Sequence, residues 1–428
     1  MRRRVLSTLA VISLGATVAG CGGDSAPSAE DAAAATGPID IWYANNPEEV
    51  AWGEAMIEAW NAENPDAEVT GQEIPAGTSS EEVITAAITA GNAPCLIYNT
   101  APAAVPGFER QGGLVSLSEF DDGAEFIETR TGERSAQYQS TDGGYYQMPW
   151  KTNPSMIFYN KDVFAAAGLD AENPPLASYD EFLATSQTLV DSGEVQAAIW
   201  PAASSEFFQS WFDFYPLFIA ASDGQQLVED GESQFNNPAG IDAAGLWAQM
   251  YERGLTPNEN YEGDSFNDQV AAMSIVGPWA IAVYEDVNWG VVPVPTPAGA
   301  APEEVSTFSD EKSVGMFTAC ENRGTAWEYL KFTMSEEADG QLLELTGQMP
   351  MRDELPTTYP DYFSANPDYE IFADQAARTV EVPNVANSIE IWQTFRNAYS
   401  SAVIFGEGDV ATAFDATAEE INNLASEN

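Results

Sequence analysis

Ile39 to Pro65 reads IDIWYANNPEEVAWGEAMIEAWNAENP, and its periodicity changes partway along. IDIWYAN reads as a strand, after which Trp52, Ala55, Met56, Ala59 and Trp60 recur at intervals of three and four, the spacing of one apolar helical face. Asn64-Pro65 ends the helix, because a proline disfavours helical geometry in the residue before it. A strand followed at once by an amphipathic helix is the unit of layered α/β folds.

The same alternation continues downstream. EEVITAAITAG places Ile84, Ala87 and Ile88 on one face and stops at Gly91. PCLIYN and SMIFYN read as buried strands. Ser178-Tyr179-Asp180-Glu181 is a capping box opening a helix with Phe182, Leu183, Ser186, Leu189 and Val190 on one side, and Thr325-Ala326-Trp327-Glu328 reads as a second box. Ile391, Trp392, Phe395, Tyr399 and Val403 line a further helix closed by Gly406. No internal repeat occurs, and VVPVPTPAGAAPEE is the clearest break in periodicity.

The N-terminus is of another kind. Arg2, Arg3 and Arg4 precede an apolar run from Val5 to Ala19, the layout of an export signal, and the run falls short of the roughly twenty residues that span a bilayer. Val18-Ala19-Gly20-Cys21 resembles the bacterial lipobox, in which the cysteine is acylated and becomes the first residue; residues 1–20 would then be the signal peptide. The alternative is a chance cysteine beside an ordinary signal. The arginines fit a general basic region and, loosely, a twin-arginine pattern. Residues 21–38 carry Gly, Ser, Ala, Asp and Pro without apolar periodicity and are expected to form a flexible tether. Acyl chains contribute about 0.8 kcal/mol per buried CH₂, so Cys21 would hold the folded body at a membrane, outside the cytoplasm.

Composition narrows the functions. With 44% hydrophobic and 11% aromatic residues, the chain beyond the tether can build a sizeable core, and its length suits two or three domains at about 150 residues each. The 67 acidic against 15 basic residues, a net charge of −52, make nucleic acid and anionic membrane surfaces poor partners. The acids are scattered, as expected of a solvated surface suited to a salty medium. Zero histidines exclude Ser-His-Asp and Cys-His nucleophile systems and His-ligated zinc or haem, and no GxxxxGK[ST] occurs. No cofactor or metal is expected. Cys95 and Cys320 remain beside Cys21; an even pair in an exported chain suggests a disulfide, with two buried free thiols the alternative.

Taken in order, these segments carry a resemblance to the extracellular sugar-binding proteins of ABC importers, the family that includes maltose-binding proteins. Ile39 to Pro65 resembles that family's first unit. TAAITAGNAPCLIYNT is similar to its A-x-G-x-x-P-D-[IV] segment, with Cys95 where Asp is usual. GGYYQMPWKTNPSMIFYNKDVFAAAGL resembles its most recognisable motif, and SYDEF, AAMSIVGPWA, AWEYLKFTMSEEADGQ with GQMPMR, and VPNVANSIEIWQTFRNAY match later landmarks. The resemblance covers Ile39 to Asn428. It implies a two-lobed α/β periplasmic-binding-protein fold of the type II kind, with a ligand cleft between lobes joined by about three hinge crossings: near Pro149 to Thr152, within Pro293 to Lys312, and near Gln348 to Met351. The implied N-lobe is 39–150 with 312–348, and the C-lobe 151–311 with 349–428. The implied function is capture of a sugar or oligosaccharide and its delivery to an ABC permease, by a monomer that is not an enzyme. Two alternatives stay open: a lipid-anchored glycoside hydrolase working through two carboxylates, and the same fold binding a non-sugar solute such as a polyamine. The resemblance also returns KSVGMFTAC, which ends in Cys320, to the lobe in which Cys95 begins a strand.

A sugar receptor needs aromatic platforms for flat C–H faces and planar hydrogen-bonding side chains for hydroxyls. Ligands of α/β sheets gather beyond the carboxyl ends of strands, which selects Tyr43, Asn45 and Asn46 after IDIWY, and Asn99 and Thr100 after PCLIY. The first crossing adds Trp150 and Lys151. GPWA resembles the family segment whose tryptophan stacks on the ligand, which implies Trp279. IWQTFR resembles one with an aromatic and an arginine four residues on, implying Trp392 and Arg396 on one helical face. Glu206 and Trp211 in SSEFFQSWFDFY are further candidates. For any one of the eleven tryptophans, core packing is the alternative.

Overall fold

The computed structural model describes residues 32–44, 46–76 and 79–426; the expected signal peptide, Cys21 and Asn45 lie outside the described residues. In chain order the strands are β1 (Ile39–Tyr43), β2 (Val69–Glu73), β3 (Leu96–Thr100), β4 (Met148–Thr152), β5 (Met156–Asn160), β6 (Ala197–Ile199), β7 (Val228–Glu229), β8 (Glu232–Ser233), β9 (Ala271–Val276), β10 (Trp289–Val292), β11 (Thr307–Phe308), β12 (Lys312–Met316), β13 (Met349–Pro350) and β14 (Thr379–Val380). Ten of them build a six-stranded sheet ordered β13-β4-β12-β3-β1-β2 and a four-stranded sheet ordered β10-β5-β9-β6, and the rest form the pairs β11-β14 and β7-β8. In the first, β1 runs parallel to β2 and β3, while β12 is antiparallel to β3 and β4. Each sheet is the spine of one lobe.

The helix over Pro47–Glu63 shows how the sequence sets the first unit. Asn46 Oδ1 accepts from the backbone N–H groups of Glu48 and Glu49 (3.1 Å each), capping the first turn and satisfying donors that a helix start leaves free. Pro47 suits the first helical position. Trp52, Met56 and Trp60 form the buried stripe and pack with Tyr98, Trp150 and Trp327 into the first lobe's core. In the second lobe, Ser178 and Glu181 form the expected capping box for the helix Tyr179–Ser192. The helix Ser388–Tyr399 buries Ile391, Trp392, Phe395 and Tyr399.

Two local readings are corrected. Residues 33–38, expected within the flexible tether, are packed: Ala33 lies against the first-lobe core, Gly324 N donates to Ala35 O (2.9 Å), and Gly37 N donates to Thr325 Oγ1 (3.0 Å). That bond takes the hydroxyl expected to cap a helix. The helix instead begins at Arg323 without a side-chain cap, so the Thr325–Glu328 box does not form.

The chain passes between the sheets three times. β4 leads through residues 153–155 directly into β5, residues 309–311 return it from β11 to β12, and residues 351–354 leave β13 for helices packed on the second lobe. Lys151 and Thr152 belong to the first sheet, paired with Pro350 and Met349. Cys95 and Cys320 are joined as a disulfide, Cα atoms 4.5 Å apart, and Phe317 N donates to Cys95 O (3.0 Å), so the bridge reinforces the β3–β12 edge of the first lobe.

Candidate binding site between the lobes

The carboxyl ends of β1 and β3 open into a cavity of about 370 Å³ between the lobes. One wall belongs to the first lobe and the crossings: Asn46 and Glu49 from the first helical turn after β1, Asn99 at the end of β3, Lys151 on β4, Lys312 on β12, and Gln348 before β13. Asn153 and Asp310 come from the crossings themselves. The facing wall is aromatic: Phe207, Phe208, Trp211 and Phe212 from one short turn, and Trp279 after β9.

The polar wall is cross-braced. Lys151 Nζ donates to Glu49 Oε1 (2.6 Å), Gln348 Nε2 donates to the same oxygen (2.9 Å), and the ammonium lies 4.4 Å from the Trp150 ring centroid. Burial pulls the Lys151 pKa down, and the Glu49 carboxylate works against it. Lys312 Nζ donates to Asp310 Oδ1 (2.6 Å), while Trp279 Nε1 donates to Asp310 Oδ2 (3.2 Å). Burial opposes the Lys312 charge, yet Asp310, Glu381 and Glu311 together outweigh it and hold this lysine above its ordinary value. Four buried polar atoms at the cavity have no hydrogen-bond partner among the described residues: Glu49 Oε2, Asn99 Oδ1, Asn153 Oδ1 and Trp211 Nε1. Each such atom costs about 1–3 kcal/mol when nothing pairs with it. Three of the four accept, so the site suits a molecule that presents O–H or N–H donors to one wall and an apolar face to the other.

Of the residues expected at the ligand, the structure brings Asn46, Asn99, Lys151, Trp211 and Trp279 together here. The others stand elsewhere. Tyr43 follows the strand alternation of Ile39 and Ile41 into the core, its ring over Gly53. Trp150 is the extra residue where the β4–β12 register shifts, Lys312 facing Lys151 and Ser313 facing Pro149; its ring packs beneath the Lys151 ammonium and among Trp52 and Tyr98, with centroids 5.0 and 5.3 Å away, and does not line the cavity. Thr100 is buried and donates to Ile97 O (3.1 Å). Glu206 is exposed, beside Ser204 Oγ (3.3 Å). Trp392 is fully buried against Tyr215 and Trp211, 4.8 and 5.9 Å between centroids. Arg396 is buried as well, bonded to Asp213 Oδ2 (2.6 Å), Ser204 O (3.0 Å) and Ala202 O (2.9 Å). The Trp392 and Arg396 pair therefore supports the aromatic turn from behind and does not line the cavity.

Sequence reasoning passed over Glu49, Gln348, Asn153, Asp310 and Lys312. A signal existed for two of them, since Asp310-Glu311-Lys312 is a charged run inside the expected second crossing. Glu49 stands three residues after Asn46, on the same helical turn, and reads from sequence as one more acidic helix start.

Among known proteins, the chain is 22% identical to the diacetylchitobiose binding protein DasA of Streptomyces coelicolor, in an alignment covering 99% of each chain. Its fold is similar to the crystal structure of a cyclic alpha-maltosyl-1,6-maltose binding protein from Arthrobacter globiformis, with TM-score 0.77, 20% identity, and coverage of 92% of this chain and all (100%) of that one. It is similar too to UgpB from Mycobacterium tuberculosis in complex with glycerophosphocholine, at TM-score 0.76 and 19% identity over 91% of this chain and 98% of the other. Residues 43–340 match the family described as bacterial extracellular solute-binding protein. A two-lobed α/β fold with a cavity at its hinge, matched over that span, belongs to the bacterial extracellular solute-binding protein family.

Proposed function

We propose that this protein captures a sugar or oligosaccharide outside the cytoplasm and delivers it to the permease of an ABC importer, anchored by a lipid on Cys21. One observation carries the reading: an aromatic wall faces an acceptor-rich wall across an interlobe cavity of about 370 Å³, within the range of small-molecule sites. Pyranose rings offer apolar C–H faces and hydroxyl donors to such a pair of walls. A ligand touching both lobes favours the state in which they are close, so binding and hinge position are linked. The sugars named for DasA and for the Arthrobacter protein support this choice.

The polyamine reading is disfavoured because Lys151 and Lys312 already occupy the Glu49 and Asp310 carboxylates that a polyamine would need, which leaves Glu81 as the one lining carboxylate outside those pairs. The hydrolase reading is disfavoured because the carboxylates Glu49 and Asp310 are each engaged by a lysine. A thermal-shift screen against mono- and oligosaccharides tests the proposal, since a ligand at a hundred times its Kd stabilises the native state by about 2.7 kcal/mol. A shift with a carbohydrate that is recovered intact supports it; a shift with spermidine alone, or released reducing ends, overturns it. For the anchor, Cys21→Ser is expected to leave folding unchanged and abolish membrane retention, and undiminished retention would refute it.

A further inference from the structure

Glu311, on the crossing between β11 and β12, and Glu381, just after β14, are buried carboxylates, and neither is in an ion pair among the described residues. Glu311 is tied to the first lobe: its Oε1 accepts from Trp150 N (3.1 Å) and Ser313 Oγ (2.9 Å). Glu381 is tied to the second: its Oε1 accepts from Val382 N (2.8 Å), and its carbonyl accepts from Tyr215 Oη (2.9 Å). Two bonds join these halves across the hinge. Glu311 N donates to Glu381 Oε2 (3.0 Å), and Glu381 N donates to Gln137 Oε1 of the first lobe (2.9 Å). Asp310, next to Glu311, has φ 42°, a left-handed conformation that strains a non-glycine residue and suits a position where lobe rotation is absorbed.

The groups facing the pair leave its charge uncompensated. Lys312 on the same crossing is spent on Asp310 (2.6 Å), and Arg134, beside Tyr138 of the first lobe, is spent on Asp353 (2.9 Å). Tyr138 and, from the second lobe, Tyr215 are held neutral by burial, and Glu229 beyond Tyr215 adds a further carboxylate. Two ionised carboxylates without a cation are costly to keep out of water.

We propose that the Glu311 and Glu381 pair is a proton-linked latch on the hinge, so that closing the lobes on a ligand takes up a proton from solvent and opening them releases it. The latch rests on the carbohydrate reading above and adds a pH dependence to it. Both lobes line the cleft in this arrangement, which is therefore one that a ligand touching both walls favours. Moving the crossing away from residues 380–382 breaks the Glu311 N bond and admits water to both carboxylates, which restores their ordinary acidity. Here burial pushes Glu381 up to about 7 and raises Glu311 as well. Protons favour the state in which a group's value is raised, so ligand affinity falls as pH rises from the ordinary 4.5 through about 7.

The test is calorimetric titration of the wild-type chain with the carbohydrate that gives the largest thermal shift, at pH 5 and pH 8, and at pH 7 in buffers of low and high ionisation enthalpy. Binding is expected to be at least about threefold tighter at pH 5, with uptake of roughly half a proton per chain at pH 7, read from the dependence of heat on buffer. Glu311→Gln/Glu381→Gln keeps the size and hydrogen-bonding groups of both side chains and should abolish the uptake and level the two affinities, while Glu381→Gln alone should lessen both and covers the case of a misfolded double variant. Equal affinities and no proton uptake in the wild type, or wild-type uptake in the variants, overturns the latch and leaves the carbohydrate reading standing. Binding of no carbohydrate at either pH overturns both.

Discussion

Replacing Arg396 separates support of the aromatic turn from contact with ligand. In Arg396→Leu the helix Ser388–Tyr399 keeps an apolar side chain at a position that is fully buried, but Asp213, 1% exposed, loses the guanidinium at 2.6 Å. Its remaining backbone partner is Phe214 N at 2.5 Å. Removing one member of a buried ion pair costs about 3–5 kcal/mol, because the other charge stays desolvated and uncompensated. The carbonyls of Ala202 and Ser204 also lose their donors, but both residues are half-exposed and regain water, so they add little. The expected loss is therefore about 3–5 kcal/mol, read by urea denaturation followed by circular dichroism. The double variant Asp213→Leu/Arg396→Leu should recover a large part of it, since an apolar pair can replace a buried ion pair at small net cost. An Arg396→Leu protein that unfolds at the wild-type urea concentration while losing carbohydrate affinity would refute the reasoning and put the guanidinium on the ligand.

Trp392→Ala should cost about 3–5 kcal/mol of stability as a core truncation, and wild-type stability with lost affinity would contradict its placement. Cys95→Ser/Cys320→Ser opens a bridge spanning 225 residues and should lower stability by about 2–5 kcal/mol; an unchanged urea midpoint would exclude a stabilising bridge. At the hinge, burial pushes the Glu381 carboxyl up to about 7 from its ordinary 4.5, and the buried Glu311, whose backbone N–H donates to Glu381 Oε2 (3.0 Å), is raised by burial and by Glu381 itself. Between those two values the folded state holds a proton that the unfolded state has released, so stability falls as pH rises through this window, by about 3 kcal/mol for Glu381 at roughly 1.4 kcal/mol per unit. Denaturation at pH 5 and pH 8 should show a fall in the wild type and a smaller one in Glu381→Gln, in which burial still raises Glu311; equal falls would sink the assignment.

The parts of the fold that were legible in the sequence are those in which a period changes or a cap is spelled out. The switch from IDIWY to the Trp52, Met56, Trp60 stripe marks a strand and helix without ambiguity, as does the Ser178–Glu181 box. Site residues are harder because spacing tells which side chains share a face and not what that face meets. Trp392 and Arg396 do share one, and it meets the core. MPWKT is buried along its whole length, so no apolar alternation in the sequence announces that Lys151 faces the cavity and Trp150 does not. Thr325 would cap a helix by its local sequence, but Gly37, 288 residues away, claims the hydroxyl. Such long-range competition leaves no local trace.

The most direct measurement is calorimetric titration of wild type and Trp279→Ala with the carbohydrate that gives the largest thermal shift. Trp279 lies half-buried on the aromatic wall, its Nε1 reaches Asp310 at the second crossing, and it packs on the outside of the cluster around Phe158 and Tyr284, so its removal takes a platform from the cleft and costs only edge contacts with that core. The account predicts one site per chain, an affinity at least tenfold weaker in the variant, about 1.4 kcal/mol, and an unliganded variant that is still folded and unfolds cooperatively. Equal affinities in the two proteins would put the ligand outside this cleft and contradict the account.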